Sequence, residues 1–177
     1  MRFKEFVLKI AALVGCVISA LLLTGAANAA AIEGTWRALN GTEITVAPCP
    51  EGYCGTLSYI VIPPAQADMC RSMPKEDFAP LILDYNNADT ALQTRPLLGV
   101  QMITLKPTGE PEGYTATVYN AEDGKTYDVL VWVLNGNTLR LGGGCVASMC
   151  AVTQDWPKVA EREIVPDFTC EGGLAPQ

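Results

Sequence analysis

The residues best suited to chemistry are the cysteines, and the chain contains no histidine. Cys49 and Cys54 are separated by four residues, and so are Cys145 and Cys150. Four thiolates could hold a metal ion, although zinc sites usually have shorter spacings or histidine ligands. The other alternative is a set of disulfides, which needs an even number of cysteines and an oxidising compartment. The start of the chain distinguishes between the two.

Residues 1–30 have the pattern of a secretory signal peptide. Three basic residues within the first nine precede an apolar run, Ile10–Leu23, which is followed by the small residues of TGAANAA. This order predicts cleavage after Ala29 or Ala30. The alternative, a retained membrane anchor, is disfavoured because the apolar run is shorter than the ~20 residues that a spanning helix needs.

The same segment contains LVGC (Leu13–Cys16), which resembles the lipobox of bacterial lipoproteins. The apolar run continues beyond Cys16, which a lipobox does not predict. Acylation at Cys16 is therefore the lesser alternative, and it would anchor the protein to a membrane.

Export favours disulfides over a metal site, so we expect a periplasmic or secreted protein with neither a metal nor a cofactor. Each C-x₄-C pair can close a small loop, which predicts Cys49–Cys54 and Cys145–Cys150. By elimination, Cys70 pairs with Cys170. That bond closes a long loop, for which the loop-closure model gives a stabilisation of about 4–5 kcal/mol.

The mature chain has room for one domain, which we place at residues 31–170, followed by a short tail at 171–177. The whole chain has 12 basic and 19 acidic residues, a net charge of −7. Loss of the signal peptide removes three basic residues and one acidic residue, which brings the net charge to about −9. This acidity argues against nucleic acid or anionic lipid as a partner, because both require a basic surface.

Turn signals predict an all-β protein. Asn40–Gly41, Asp123–Gly124 and Asn135–Gly136 each separate two β-rich runs, which is a strong hairpin signal. Hydrophobic alternation in Tyr114–Tyr119 indicates a strand with one buried face. We therefore expect an eight-stranded antiparallel meander closed into a barrel. The expected strands are Gly34–Leu39, Glu43–Ala47, Gly55–Ile62, Gly99–Lys106, Tyr114–Tyr119, Thr126–Leu134, Thr138–Leu141 and Val152–Trp156.

Two segments depart from this simple pattern. The segment Asp128–Leu134 has apolar residues on both faces of a strand, which predicts a central strand buried on both sides. Pro63–Pro96 has five prolines and no strand pattern, and loops of such length are usually functional. We expect it to contain one helical turn beginning near Asn87 or Asp89. Tied down by Cys70, this long loop would cover one mouth of the barrel.

Four motifs occur in order along the chain: Gly34–Trp36, Leu83–Gly99, Tyr119–Val129 and Thr153–Lys158. In this combination the chain resembles a bacterial exported family catalogued as domain of unknown function 2147. That family is similar to the calycins, the lipocalin-like small barrels, and has no established reaction. The resemblance spans residues 34–158 and implies a lipocalin-like fold. The motif residues retained here are Gly34, Trp36, Asp123, Gly124, Lys125, Tyr127 and Trp156.

In lipocalin-like barrels a late arginine packs over the tryptophan of the G-x-W motif, so the resemblance implies a cation–π contact to Trp36. This chain has Lys158 at that position, and lysine lacks the planar guanidinium. Arg37 and Arg140 are the alternative partners for the tryptophan.

Asp84, Asn86, Asp89 and Arg95 form the densest polar cluster. Two carboxylates could catalyse acid–base hydrolysis, with the arginine binding an anion. Asp and Asn also cap turns, and an arginine–carboxylate pair would fix the loop, which is the interpretation that we favour. Without histidine, the serines lack their usual base. We therefore expect that the protein is not an enzyme. A hydrolase that uses the two carboxylates is the alternative that stays open.

An eight-stranded barrel is either filled by side chains or hollow enough for one small ligand. The sequence predicts a binding protein for a small apolar or amphipathic molecule. The alternative is a structural or interaction module of the cell envelope that binds a protein or a glycan through the 63–96 loop. The large side chains expected to line or plug the barrel are Tyr59, Met102, Tyr114, Val118, Tyr127 and Trp132, with Met149.

Overall fold

A computed structural model describes residues 30–170. Eight antiparallel strands follow one another around a closed barrel, which confirms the expected meander. A ninth strand pairs in parallel with the third. The predicted signal peptide before Ala30, Cys16 within it, and the tail at 171–177 lie outside the described residues. The strands are β1 (Gly34–Arg37), β2 (Glu43–Cys49), β3 (Gly52–Val61), β4 (Gln101–Pro107), β5 (Gly113–Asn120), β6 (Lys125–Leu134), β7 (Thr138–Val146), β8 (Met149–Val159) and β9 (Asp167–Thr169).

Strand alternation separates an inner from an outer face. On β5, Tyr114 and Ala116 are buried while Thr115 and Thr117 are exposed, which confirms the alternation read from the sequence. The expectation that β6 is buried on both faces is wrong. Val131 is buried inside the barrel, whereas its outward neighbours are only half-buried, because a barrel made of one sheet has only one covered face.

The end of the barrel at which β1 begins is packed shut. Trp36 is fully buried there, and its indole Nε1 donates a hydrogen bond of 2.9 Å to the carbonyl oxygen of Ile32. Tyr53 and Tyr114 meet edge to face, with ring centres 5.9 Å apart. Such aromatic contacts fill the interior with large apolar surfaces, so this end belongs to the hydrophobic core.

The Pro63–Pro96 segment carries helices that the sequence analysis did not predict. These are α1 (Pro64–Ser72) and α2 (Lys75–Phe78), with a 3₁₀ turn at Ala79–Leu81. A second 3₁₀ turn, Thr90–Leu92, is capped by Asp89 and confirms the helical turn expected to begin near Asn87 or Asp89. Phe78 of α2 packs against Phe168 of β9 at a ring-centre distance of 5.6 Å. The helices and β9 thereby extend the hydrophobic core of the barrel.

Three disulfides join the predicted cysteine pairs. Cys49–Cys54 and Cys145–Cys150 each close a short hairpin, and Cys70–Cys170 ties α1 to the residue after β9. Three such bonds are consistent with an oxidising, extracytoplasmic compartment. Within residues 30–170, none of the helices has the length and hydropathy that crossing a bilayer requires.

Candidate ligand-binding site

The opposite end of the barrel, where β1 turns into β2 and β5 turns into β6, contains a cavity of about 640 Å³. Its volume lies within the range of small-molecule sites in proteins. Its deeper walls are inward-facing apolar side chains from most of the barrel strands. These are Ile44, Ile103, Val118, Val129, Leu141 and Trp156.

Small residues on β7 and β8 leave this space open. Gly143, Gly144 and Ala151 line the cavity, and none of them carries a side chain that could reach its centre. Gly142 lies on the outer face, where a Cβ atom would approach the Cys150 sulfur to 2.4 Å. The Cys145–Cys150 disulfide therefore packs on the outside of the strand, and the glycine run makes room for it.

Polar groups surround the mouth. The Asn40 amide Nδ2 donates a hydrogen bond of 3.1 Å to the Glu122 carboxylate. The two residues lie in the β1–β2 and β5–β6 connections, which are half a turn apart around the eight strands, so this bond crosses the mouth. At the same rim, the Tyr127 hydroxyl donates to the Asp123 carboxylate, which lowers the pKa of Asp123 and raises the pKa of Tyr127.

Three of the residues predicted to line the barrel lie at this cavity: Met102, Val118 and Tyr127. Tyr114 points into the barrel at its closed end. The residues that the prediction missed, such as Val129 and Leu141, alternate with outward residues along β6 and β7. That period of two was the signal that could have identified them.

The remaining candidates face away from the cavity. Tyr59 pairs with outward-facing Glu43, and the Arg162 guanidinium covers its ring at 3.4 Å. Trp132 has the opposite parity to buried Val131, and Met149 is 76% exposed at the tip of the β7–β8 hairpin. The sequence analysis selected these residues by size, whereas strand parity decides which side chains face inward.

The predicted polar cluster is centred on Asp84, whose side chain is fully buried. Its carboxylate accepts hydrogen bonds from the Tyr119 hydroxyl, from Asn87 Nδ2 at 2.8 Å and from Arg95 Nε at 2.9 Å. Desolvation raises the pKa of Asp84, but these hydrogen bonds outweigh it and the pKa lies below its ordinary value. The group is thus a buried anion with its partners in place, out of reach of a substrate.

The other two members of the cluster have separate local roles. Asp89 accepts a hydrogen bond of 3.0 Å from the backbone nitrogen of Ala91 and caps the 3₁₀ turn Thr90–Leu92. Asn86 donates at 3.1 Å to the backbone oxygens of Ala121 and Glu122. The structure therefore brings Asp84 and Arg95 together, whereas Asn86 of the loop contacts the backbone of the β5–β6 hairpin.

The Pro63–Pro96 segment contributes no residue to the cavity lining within the described chain. At this end, therefore, the segment is not the cover of one barrel mouth that the sequence analysis expected. It holds the β5–β6 hairpin from outside, through Asn86 and through the bond from Tyr119 to Asp84. Gly124 allows this contact, since a Cβ atom there would lie 1.7 Å from the Asn86 backbone oxygen. Two of the sequence motifs thus form one structural unit beside the mouth.

Charged residues make two further contacts. The sequence analysis left the partner of Trp36 undecided, and it did not predict the ion pairs of Glu43. Lys158 places its ammonium 5.1 Å from the Trp36 ring centre, while Arg37 and Arg140 pair with carboxylates elsewhere. The buried Glu43 carboxylate lies between Arg37 and Arg162. Its hydrogen bond raises the pKa of Arg162. This pair links β2 to the segment before β9, 119 residues away.

One group of potential metal ligands, Cys49, Glu51 and Cys54, lies within a small volume. Its two sulfur atoms are bonded to each other and are therefore unavailable as thiolate ligands. The structure gives this cluster a structural role in the β2–β3 hairpin.

Comparison with known proteins agrees with this architecture. The profile of a family described as "Uncharacterized protein conserved in bacteria (DUF2147)" matches residues 34–158. A Helicobacter pylori structure described as "Protein HP1028 from the human pathogen Helicobacter pylori belongs to the lipocalin family" superposes with a TM-score of 0.52. The match covers 73% of this chain and 83% of that one at 16% identity, which establishes a shared fold. No curated protein matches the sequence.

Proposed function

We propose that this chain, which belongs to the DUF2147 family, is a periplasmic binding protein that holds one small apolar or amphipathic molecule in the open end of its barrel. The observation that carries the proposal is the cavity of about 640 Å³, with apolar walls and a polar rim. Pockets of this form, mostly apolar with a few hydrogen-bonding groups, are the usual binding sites for small molecules.

The energetics allow useful affinity without covalent chemistry. A ligand that buries about 300 Å² of apolar surface gains on the order of 7 kcal/mol from removal of that surface from water. Loss of translational and rotational freedom offsets part of the gain. Because the cavity walls belong to a disulfide-bonded barrel, little further ordering is needed when the ligand enters. Micromolar affinity is therefore within reach of apolar contact alone.

The proposal contains no catalytic step. Asp84, the acid of the predicted hydrolase alternative, is buried and bonded to three donors, and its side chain lies outside the cavity lining. Asp89 is engaged as a cap. General acid–base catalysis requires a group within hydrogen-bond reach of the substrate, and neither carboxylate has that geometry.

Location in the periplasm rests on the predicted signal peptide together with the three disulfides. Native mass spectrometry of the protein purified from its own envelope would report the processing site and any bound molecule. An acylated Cys16 or a retained leader would contradict this location.

The binding function is tested with N-phenyl-1-naphthylamine, a neutral dye whose fluorescence rises in apolar surroundings. Val129 lines the cavity, and its neighbour Leu130 faces outward on the same strand. We expect Val129→Trp to weaken dye binding by about tenfold, whereas Leu130→Trp leaves it unchanged. Thermal unfolding checks that both variants are folded. Absence of dye binding to the wild-type protein, or equal weakening by both variants, would refute a cavity ligand.

A second candidate function is an envelope module that binds a protein or glycan through the 63–96 segment. Three apolar side chains of that segment are exposed although its backbone is tied down: Met69, Leu81 and Tyr85, at 47%, 42% and 59%. Exposed aromatic and aliphatic groups on a rigid segment are typical of contact surfaces. A Leu81→Asp/Tyr85→Asp variant should lose partner capture while keeping its melting temperature and dye binding. Unchanged capture would reject this alternative.

A further inference from the structure

The charges at the cavity point to a head-group class for the ligand. We propose that the cavity selects single-chain amphipathic molecules with a cationic head group and disfavours anionic ones. This inference rests on the proposed binding function, and it concerns the rim of the same site.

Within residues 30–170, only acidic charges border the cavity. Among the lining residues within the described chain, Glu122 and Asp128 are the charged ones, and no lysine or arginine is present. The Asp128 carboxylate points outward, since it bonds to Thr117 on the outer face of β5. A third carboxylate, Asp123, is held at the same hairpin by the Tyr127 hydroxyl. Lys125, the basic residue of this hairpin, does not line the cavity. An entering head group therefore meets carboxylates before any cation.

Three other acidic groups that pack on the barrel have ion pairs, unlike the rim carboxylates. Asp84 pairs with Arg95, Asp155 pairs with Arg140, and Glu43 lies between two arginines. Glu122 instead accepts a hydrogen bond from the neutral amide of Asn40. Asp123 accepts one from the Tyr127 hydroxyl. Both bonds hold a carboxylate in position without neutralising its charge, and within residues 30–170 neither group has an ion pair.

The position of these charges matches the layout of an amphipathic ligand. The deep walls are apolar, so the chain of the ligand lies inside and its head remains at the mouth. A cationic head at the mouth is attracted by Glu122 and Asp123, whereas a carboxylate or phosphate head is repelled by both. The rim is open to solvent, so salt screens this preference. Tyr127, which is 43% exposed at the mouth, offers an aromatic face to the same cation.

The experiment compares three probes that share a twelve-carbon chain: dodecylamine, dodecanol and dodecanoate. Each displaces N-phenyl-1-naphthylamine from the wild-type protein at neutral pH and below its micelle concentration. At low salt we expect dodecylamine to bind about tenfold tighter than dodecanoate, with dodecanol between them. At about 0.5 M salt the difference should shrink to less than about threefold.

Matched variants separate the rim from the overall charge. Glu122→Gln/Asp123→Asn keeps one acceptor oxygen at each position and removes two charges at the mouth, which should lower the dodecylamine preference at least about threefold. Glu110→Gln/Glu112→Gln removes two charges in the turn between β4 and β5 at the closed end. This control should leave the preference unchanged. Because both variants alter exposed groups, melting temperatures should stay near that of the wild type.

Each outcome decides a separate question. If dodecanoate binds as tightly as dodecylamine while dodecanol also binds, the head-group assignment is wrong and the binding function stands. If the two variant pairs lower the preference equally, net charge and not the rim is responsible, which overturns the assignment to Glu122 and Asp123. If neither dodecanol nor the dye binds, the proposed function itself fails, and the inference fails with it.

Discussion

Lys158 lies directly opposite Trp36 across the seam where β8 meets β1, with its ammonium 5.1 Å from the centre of the indole ring. Two residue pairs make up this seam: Thr35 with Val159, and Trp36 with Lys158. Gly34 permits the contact, since a Cβ atom at that position would lie 2.6 Å from the Lys158 Cε atom. The short strand pairing and the side-chain contact together close the barrel.

We expect Lys158→Met to lower the free energy of unfolding by about 0.5–1 kcal/mol, the usual size of a solvent-accessible cation–π contact. Lys158→Arg should restore or exceed the wild-type stability, because a guanidinium also stacks on the ring. Urea unfolding measures both changes. Lys106→Met, an exposed lysine on β4, is the control. Equal effects of the two methionine substitutions would show that the contact with Trp36 is not stabilising.

The docking of the 83–96 loop on the β5–β6 hairpin is tested by two glycines of similar backbone conformation. Gly124 has φ +70° and Gly136 has φ +68°. A Cβ atom on Gly136 would meet nothing within 4 Å, whereas one on Gly124 would collide with the Asn86 backbone oxygen. Gly136→Ala should therefore cost about 1 kcal/mol, from the left-handed backbone alone. Gly124→Ala should cost at least about 2 kcal/mol more in urea unfolding.

Equal losses for the two alanine variants would show that the loop and the hairpin separate without penalty. Proteolysis gives an independent readout, because an undocked loop is cut more readily than a docked one. Increased cleavage within residues 83–96 is therefore expected for Gly124→Ala and not for Gly136→Ala.

The length of the loop that each disulfide closes predicts its effect on stability. Cys70 and Cys170 are 100 residues apart, whereas Cys145 and Cys150 are five apart. The loop-closure relation gives about 4–5 kcal/mol for the first bond and about 2 kcal/mol for the second. Replacing each pair with serines, followed by urea unfolding, checks this order. A larger loss for the Cys145/Cys150 variant would contradict the entropic origin of the stabilisation.

The contacts of Ala30 favour one of the two expected cleavage sites. The backbone nitrogen of Ala30 lies 2.8 Å from the Glu33 carboxylate, and the Glu33 nitrogen donates back to the Ala30 oxygen. Cleavage after Ala29 would convert this nitrogen into an ammonium that forms an ion pair with Glu33, whereas cleavage after Ala30 would remove it. We expect the mature chain to begin at Ala30, as measured by its intact mass. A mature chain that begins at Ala31 would contradict the prediction.

Local sequence signals were sufficient to predict most of the barrel strands. They were insufficient to predict helix α1 and strand β9, which pack against the barrel. Hairpins at Asn40–Gly41 and Asn135–Gly136 were identified because a tight turn depends on two adjacent residues. Strand β9 spans three residues, and its pairing with β3 depends on contacts such as Phe78 with Phe168. Helix α1 was missed because Pro63 and Pro64 suggested a loop, although proline is well tolerated in the first helical turn.

The residues that line the cavity were only partly predictable from the sequence. Met102, Val118 and Tyr127 were identified as lining residues by size, but size does not determine which face of a strand a residue occupies. Tyr59 lies beyond a register shift between Glu43 and Ile44, so local alternation does not give its direction. The rim arrangement depends on Asn40 and Glu122, which are 82 residues apart. Contacts of that range follow from barrel closure and from no local pattern.

Asp84 predicts how acid affects the protein. Its pKa in the folded state lies below the ordinary value, because hydrogen bonds from Tyr119, Asn87 and Arg95 outweigh desolvation. The stability that these bonds supply is complete above the unfolded-state pKa of about 3.9, and it is lost as pH falls through the folded-state pKa. At pH 7, Asp84→Asn should cost about 3 kcal/mol, because it leaves the Arg95 charge unpaired.

Since asparagine does not titrate, the stability gap between the wild type and Asp84→Asn should narrow in acid. Urea unfolding between pH 7 and about pH 3 measures this gap. Asp155→Asn is the matched control. The hydrogen bond from Arg140 lowers the pKa of Asp155, but this pair is solvent-exposed, so its loss should cost at most about 1 kcal/mol. A gap for Asp84→Asn that stays constant down to pH 3 would mean that the pKa of Asp84 is the same in the folded and the unfolded states, which would contradict the prediction.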